Sequence, residues 1–267
     1  MPTVRPFLKW PGGKRWFIQY HSSILPSSFN TYIEPFLGSG SVFFHLKPRR
    51  AILGDLNPEL VASFQGIKDD WLEVERLLEG HEEAHTESYY YLLREQTLKI
   101  NTQRAARLIY LNRTCFNGIF RVNRKGRFNV PVGTRDTIIF DDDNFNEMAQ
   151  ALEKAEIKES DFAPLINCAT QNDFIFADPP YTVRHNINGF LKYNETLFSW
   201  SDQIRLADAL SRARDRGAII VSTNANHQSV RNLYQGRGFQ MRTVSRFSPI
   251  SADPDSRKQF EELVITT

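Results

Sequence analysis

Cysteine is scarce in this chain of 267 residues, and no long apolar run is present. The two cysteines, Cys115 and Cys168, follow neither the spacing of a zinc site nor that of a disulfide framework, and the six histidines show no ligand spacing. No stretch approaches the roughly 18 apolar residues of a membrane-spanning helix. We therefore expect no metal site and no membrane span.

The amino terminus lacks the apolar centre of a secretory signal, because the chain begins MPTVR. With so little cysteine, this absence predicts a reduced, cytoplasmic location. Hydrophobic residues make up 41% of the chain, which is enough for one large domain or for a domain with an insertion.

Positive charge is concentrated in one stretch, although the net charge is only +2. Between Asn101 and Arg135 there are eight basic residues and no Asp or Glu, so the remainder of the chain sums to about −6. The basic residues are Arg104, Arg107, Arg113, Arg121, Arg124, Lys125, Arg127 and Arg135, and aromatic residues are interleaved with them. This pattern indicates a polyanion-binding surface, with a solvated basic face as the alternative.

Strand and helix signals alternate at both ends of the chain. Asn57 and Pro58 mark a helix start, the first as its cap and the second at the first helical position. Strands are predicted over residues 31–36, 51–55, 156–162, 173–178 and 217–223, helices over residues 41–46, 201–214 and 228–234, and a final hairpin pairs residues 240–247 with 262–267.

The middle of the chain has helical periodicity over residues 73–79, 86–100 and 102–112. Alternation at both ends predicts an α/β fold with a parallel doubly wound sheet, and the helical middle is then an insertion between its second and third strands. We expect a core domain of residues 1–68 and 156–267 and an insertion of residues 69–155. A ligand is expected outside the carboxyl ends of the strands, near the glycine-rich turn.

That turn contains Gly38 and Gly40, and Asp55 follows the next strand. The glycines allow a backbone to approach a ligand, and the acid is placed to accept hydrogen bonds from ribose hydroxyls. A nicotinamide cofactor fits the same pair, but Phe43 stands where its third glycine would be. Gly12-Gly13-Lys14 is not a phosphate-binding loop, since Leu8 and Arg15 replace that loop's other required residues.

A more specific signal is the sequence DPPY at residues 178–181, directly after an apolar strand. The exocyclic amine of adenine is a poor nucleophile because its lone pair is delocalised into the ring. The Asp178 carboxylate and the Pro179 carbonyl could accept its two N–H bonds, while Pro180 adds rigidity and Tyr181 could stack on the base. The alternative is a proline-rich strand exit with a surface acid and a packing tyrosine.

The motifs, taken in order, resemble those of the Dam-type (alpha-group, D12 class) DNA adenine-N6 methyltransferases. They are PFLKWPGGK at residues 6–14 (the amino-terminal motif), YIEPFLGSG at 32–40, GDLN at 54–57, LNRTCFNGIFRVN at 111–123, FNVPVG at 128–133, SDF at 160–162 and DPPY at 178–181. The resemblance implies a Rossmann-like S-adenosylmethionine-dependent methyltransferase sheet with a helical DNA-recognition insertion. It also implies a site-specific enzyme that methylates a flipped adenine in duplex DNA.

The resemblance further implies a set of cofactor-binding residues for S-adenosylmethionine. They are Trp10, Lys14, Glu34, Pro35, Phe36, Gly38, Gly40, Asp55, Asp161, Phe162 and Asp178. Lys14 would bind the methionine carboxylate, Asp55 the ribose, Asp161 and Phe162 the adenine. A core role for Trp10 and a solvated surface role for Lys14 are the alternatives.

Double-stranded DNA is the partner that the resemblance implies, with residues 112–134 as the recognition segment. The implied DNA-binding residues are Arg113, Phe116, Asn117, Ile119, Arg121, Asn123, Arg124, Lys125, Asn129, Pro131, Arg135, Arg257 and Lys258. Phe116 and Ile119 would lie near the target base, and the basic residues at phosphates. The alternatives are a tight turn at Asn117, core packing for the aromatic residues and solvated charges at 257–258.

One departure concerns the target sequence. Close Dam relatives carry an arginine that reads guanine where this chain has Thr134, with Arg135 one position later. The GATC target is therefore not carried over. The family setting adds a cognate restriction endonuclease as a candidate partner, a monomer or weak dimer, and association with the nucleoid.

Four other functions compete with adenine methylation of DNA. The same motif suits cytosine-N4 or RNA-adenine methylation, since any planar amine fits it. A DNA-binding module without activity and a nicotinamide oxidoreductase are further alternatives. The oxidoreductase hypothesis leaves the proline pair without a use.

Overall fold

The structure is a computed structural model, and it describes residues 4–123, 127–182, 198–247 and 259–267. The helices there are α1 Arg15–His21, α2 Ser41–Leu46, α3 Pro58–Glu83, α4 Glu87–Glu95, α5 Asn101–Thr114, α6 Phe145–Leu152, α7 Phe162–Asn167, α8 Trp200–Asp215 and α9 Gln228–Gln235. The strands are β1 Tyr32–Glu34, β2 Ala51–Asp55, β3 Ala155–Glu159, β4 Phe174–Ala177, β5 Ile219–Ala225, β6 Gln240–Phe247 and β7 Gln259–Thr266. No helix within these ranges is long and apolar enough to span a bilayer.

The strands form one seven-stranded sheet in the order β3-β2-β1-β4-β5-β7-β6. Strand β4 pairs in parallel with β1 and with β5, whereas β7 runs antiparallel to β5 and to β6. This sheet confirms the predicted α/β class. The predicted final hairpin is also confirmed, since β6 and β7 pair along their whole length.

The chain divides into two compact units. The first comprises Met1–Gln19, Leu37–Arg49 and Leu53–Glu159, and the second Tyr20–Phe36, Arg50–Ile52 and Ser160–Thr267. Strand β2 contributes to both. The predicted division at residues 68–69 and 155–156 stays a prediction, and α3 runs through the first of these positions with non-helical angles at Asp70.

Helices α3 and α5 pack together in the first unit. Asn57 caps α3, because its side chain accepts hydrogen bonds from the backbone of Glu59 and Leu60, as the sequence predicts. A β-carbon at Gly66 would lie 2.5 Å from the carbonyl oxygen of Asn101, so only glycine allows α5 to approach this closely.

Strand β4 lies in the core of the second unit. All four of its residues are buried, and apolar side chains of α7 and α8 pack in the same cluster. Burial on both faces explains the continuous apolar run, which is typical of a central parallel strand. The position of Asp178 follows from this strand, because it is the first residue after β4.

One strand and one helix end well before their predicted boundaries. The strand predicted over residues 156–162 ends at Glu159, since the Asp161 side chain accepts a hydrogen bond from the backbone N–H of Ala163 and caps α7. Phe162 therefore begins a helix. The helix predicted over residues 86–100 ends at Glu95, where Gln96 adopts an extended conformation.

Candidate active site

Asn112 joins the amino-terminal motif to the end of α5 in the first unit. Its side-chain oxygen accepts from the backbone N–H of Lys9 at 2.8 Å, and its side-chain nitrogen donates to the Lys9 carbonyl at 3.0 Å. Asn112 is 1% exposed. A buried amide that pairs with one backbone residue on both sides fixes that residue's position. Sequence reasoning did not assign this role to Asn112.

Trp10 and Lys14 lie in the same motif. The Trp10 ring stacks on Phe120, with centroids 4.7 Å apart and planes 21° apart. Lys14 is buried, and its ammonium donates to the Gly12 carbonyl at 3.1 Å. The alternative of a solvated surface lysine is therefore wrong. A buried ammonium group needs polar partners in place of water, and the Gly12 carbonyl is one of them.

The glycine-rich turn is packed against aromatic side chains. Gly38 and Gly40 have φ values of +49° and +65°, in the left-handed region. A β-carbon at Gly38 would lie 3.1 Å from the Trp10 ring, and one at Gly40 3.1 Å from the Phe64 ring. The positive φ angles and the close packing of the protein's own rings thus both favour glycine here, a reason that differs from the close approach of a ligand expected from the sequence.

Asp55 holds this turn from the end of β2. One carboxylate oxygen accepts from the Gly38 N–H at 3.2 Å and the other from the Asn57 N–H at 2.9 Å. Burial raises the pKa of Asp55, and the backbone hydrogen bonds act in the opposite direction. A carboxylate has about four acceptor positions, so hydroxyl donors fit beside these two bonds.

In the second unit, Phe36 and Phe162 pack together. Their ring centroids are 5.5 Å apart, and the guanidinium of Arg205 lies 4.8 Å from the Phe162 centroid. Arg205 also donates to Asp161 at 2.9 Å. The predicted adenine-binding pair, Asp161 and Phe162, is thus in contact with a cation that sequence reasoning did not single out.

Glu34, which follows Ile33 in β1, is also buried in the second unit. It accepts a 2.9 Å hydrogen bond from the Tyr32 hydroxyl. The pKa of Tyr32 is raised, first by burial and then by the charge of Glu34. Pro35 separates this pair from Phe36.

Asp178 to Tyr181, here called the 178–181 strip, is bonded to neighbouring strands. The Thr223 hydroxyl of β5 donates to Asp178 Oδ1 at 2.6 Å. The Tyr181 hydroxyl donates to Glu262 Oε2 of β7 at 2.7 Å. Burial and then the charges of Glu262 and Asp178 raise the pKa of Tyr181, so its hydroxyl stays protonated. Polar residues inside buried strands were the signal for Thr223 and Glu262 that sequence reasoning missed.

The recognition segment folds back on itself within the first unit. Isolated antiparallel bridges join Cys115 to Val132 and Val122 to Phe128. The ring of Phe116 is 56% exposed, and Asn117 adopts φ of +58°. The tight turn that was the alternative at Asn117-Gly118 is therefore present, and Phe116 is not a core residue.

Other predicted DNA-binding residues differ in their surroundings. Arg121 donates to the Asn129 side chain at 3.3 Å, and the backbone N–H of Asn123 bonds to the Arg127 carbonyl at 2.8 Å. Ile119 is partly exposed and Pro131 is exposed. Arg124, Lys125, Arg257 and Lys258 lie outside the described residues.

Arg113 does not lie on the surface. Its side chain is 4% exposed, and both terminal nitrogens bond to the carboxylate of Asp143. It also donates to the Phe7 carbonyl at 3.1 Å, and the guanidinium carbon lies 4.3 Å from the Phe140 centroid. Contact with a phosphate would require these bonds to break, so the placement favours a structural role for Arg113.

A cavity of about 560 Å³ lies within the first unit. Five basic residues line it, namely Arg5, Lys9, Arg15, Arg113 and Arg135. Arg135 also lies 5.4 Å from the Phe140 centroid. A cavity with this excess of cations suits an anionic ligand such as a nucleic acid.

Comparison with known proteins now assigns the chain to a class. It belongs to the D12 class N6 adenine-specific DNA methyltransferase family, whose profile matches residues 10–249. The Type II methyltransferase M1.LlaDCHI of Lactococcus lactis subsp. cremoris is 32% identical over 273 residues, covering 99% of this chain and 95% of that protein. The DNA adenine methylase of Haemophilus influenzae is 34% identical over 267 residues, covering 97% and 92%.

A third relative, the Type II methyltransferase M.MjaIII of Methanocaldococcus jannaschii, is 32% identical over 281 residues and covers 96% of each chain. The chain is therefore an adenine-specific DNA methyltransferase. Cytosine methylation, RNA methylation, hydride transfer and a catalytically silent module are set aside by this membership.

Proposed function

We propose that the Asp178 carboxylate and the Pro179 carbonyl accept hydrogen bonds from the two N–H groups of the target adenine's amine. We also propose that the methyl donor is S-adenosylmethionine. The observation that carries this proposal is the position of Asp178, directly after the buried strand β4 and hydrogen-bonded by Thr223. An acid in this place is held by the core rather than by a surface loop.

The reaction needs two acceptors because the amine lone pair is delocalised into the purine ring. Hydrogen bonds from both N–H groups draw electron density toward nitrogen as it attacks the methyl carbon. The N–C bond would form as the S–C bond of the sulfonium breaks and leaves a thioether, and the methylated nitrogen would then release one proton to the Asp178 carboxylate. Pro179 and Pro180 have no N–H groups and have a fixed φ, so no internal donor competes for the Pro179 carbonyl. Positioning of this kind supplies a large part of the rate enhancement.

Adenine in a duplex is out of reach of such acceptors, so we propose that the base is extruded from the stack. Extrusion requires a few kcal/mol, which contacts with the extruded base offset. The exposed ring of Phe116 is suited to contact bases, and the cationic cavity of the first unit is suited to contact phosphates.

The residues present fit S-adenosylmethionine by the chemistry of their side chains. When bound, this cofactor supplies a methyl group that its sulfonium activates. The ammonium of Lys14 would bind the methionine carboxylate, and Asp55 would accept hydrogen bonds from the ribose hydroxyls. Each oxygen of Asp55 already accepts one backbone N–H, which holds the carboxylate in one orientation for this role.

Asp178→Asn tests the proposal, because the amide keeps the shape of the side chain and replaces one acceptor by a donor. We expect transfer of labelled methyl groups to duplex DNA to fall by roughly a hundredfold or more, the size of effect seen when one preorganised polar group is lost. Binding of S-adenosylmethionine, measured by equilibrium dialysis, should persist in this variant. Undiminished transfer would contradict the proposed role of Asp178.

Two matched variants test the cofactor residues. Lys14→Met and Asp55→Asn should weaken S-adenosylmethionine binding in dialysis, whereas Lys47→Met, at an ion pair with Glu147, should not. Wild-type affinity in both of the first two would contradict the assignment.

Because Thr134 replaces the expected arginine, the target sequence is best read by mapping methylated adenines in DNA treated with the enzyme.

A further inference from the structure

We propose that Thr223 and Glu262 are positioning residues, which hold the two ends of the 178–181 strip through partly buried hydrogen bonds from strands β5 and β7. This inference rests on the proposed function of Asp178. It adds two residues that lie far from the strip in sequence, on β5 and β7.

Thr223 holds the first residue of the strip. It is fully buried, and its hydroxyl lies 2.6 Å from Asp178 Oδ1. The residue before it, Ser222, donates to the carbonyl of Ala177 at 2.9 Å. Two successive residues of β5 thus donate hydrogen bonds at the carboxyl end of β4. Ser222 donates to the backbone of Ala177, and Thr223 donates to the side chain of Asp178.

Glu262 holds the last residue of the strip. It is 6% exposed and pairs with Ala225 in the register of β5 and β7. Its Oε2 accepts the Tyr181 hydroxyl at 2.7 Å. Burial and then the charge of Glu262 raise the pKa of Tyr181, which keeps the proton of this hydrogen bond in place.

These bonds bear on the reaction because a carboxylate rotates about its Cβ–Cγ bond. A hydrogen bond to one oxygen fixes the plane of the other, and a bond to an ionised group is stronger than one between neutral groups. Thr114 shows the usual alternative for a buried threonine, since its hydroxyl donates to the Tyr110 carbonyl of its own helix. Thr223 instead donates to the acid of the neighbouring strand.

Thr223→Val and Thr223→Ser form the test pair. Valine keeps the shape and lacks the donor, whereas serine keeps the donor. We expect kcat to fall roughly tenfold to a hundredfold in the valine variant, as for the loss of a hydrogen bond to a charged group, and to stay near wild type in the serine variant. The DNA KM should change little in either.

A pH profile separates positioning from mere stability. A donor at Asp178 favours the ionised form of the carboxyl group, so its removal should move the acid limb of kcat to higher pH. Thr170→Val is the matched control. Its hydroxyl donates to the carboxylate of Asp173 at 2.9 Å, just before β4 begins, and its loss should leave the acid limb unchanged.

Several outcomes overturn the inference: an unchanged kcat and acid limb in Thr223→Val, a serine variant as impaired as the valine variant, or an equal effect in Thr170→Val. Thr223→Ala replaces the valine variant if thermal melting shows that valine prevents folding. For Glu262, we expect Glu262→Ala and Tyr181→Phe to lower kcat without adding in the double variant. Additive losses would contradict a shared role.

Failure of the inference is distinguishable from failure of the proposed function. If Asp178→Asn remains active, the proposed function itself is wrong. If Asp178→Asn is inactive while Thr223→Val and Glu262→Ala behave as wild type, Asp178 acts without these two residues, and only the positioning role is lost.

Discussion

Substitution of Asp143 tests whether Arg113 serves the fold or the DNA. The two side chains are 5% and 4% exposed and form a double hydrogen bond. Asp143→Asn leaves the guanidinium buried without a compensating charge. Removal of one partner of a buried ion pair costs about 3–5 kcal/mol. For a chain of this size, the melting temperature should fall by roughly 6–20 °C.

Removal of both charges should cost less than removal of one. We therefore expect Arg113→Met combined with Asp143→Leu to melt closer to the wild type than Asp143→Asn does. The assay is thermal unfolding followed by circular dichroism, with Glu73→Gln as the control. That residue forms an exposed ion pair with Arg76, and its loss should leave the melting temperature unchanged.

The same double variant tests the DNA contact that the family resemblance implied for Arg113. The logarithm of DNA affinity falls linearly with the logarithm of salt concentration, and each lost phosphate contact lowers the steepness of this slope by about 0.9. The double variant should keep the wild-type slope, whereas Arg121→Gln should lower it. A lower slope in the folded double variant, or a melting temperature unchanged in Asp143→Asn, would refute the reasoning.

Three further predictions concern other parts of the first unit. Phe120→Leu removes the ring stacked on Trp10, so Trp10 fluorescence should shift to longer wavelength; an unchanged spectrum would contradict the stack. Gly40→Ala should destabilise the protein by about 1–3 kcal/mol in urea unfolding, because φ is +65° and the Phe64 ring is 3.1 Å away. Burial lowers the pKa of His81 from 6.5 to about 4, so the unfolded chain binds more protons than the folded protein between pH 4 and pH 6.5. Stability should therefore fall as the pH drops through this window, and less steeply in His81→Gln.

Elements with strong local signals were predicted correctly from the sequence. Asn57 and Pro58 begin α3 as expected, because a cap and a first-turn proline act within a few residues. The apolar run before Asp178 forms a buried strand for the same local reason. The boundary near Asp161 was wrong, because an acid at this position reads equally as the end of a strand or as the cap of a helix.

Partners distant in sequence were not predictable. Arg113 belongs to a basic stretch and reads as a phosphate contact, but its carboxylate partner lies 30 residues later and is buried with it. Composition records the charge of this arginine and not its burial. The partners of Asp178 and Tyr181 lie 45 and 81 residues away, and only strand pairing brings them into contact.

The order and chemistry of the motifs were readable from the amino-acid sequence by itself, and their resemblance to those of one methyltransferase family indicated the class of enzyme. The tertiary structure alone decided which polar side chains hold those groups and which arginine is buried. Hydrogen bonds and ion pairs join residues according to their distance in space, and that distance is set by packing and strand register, which no local pattern contains.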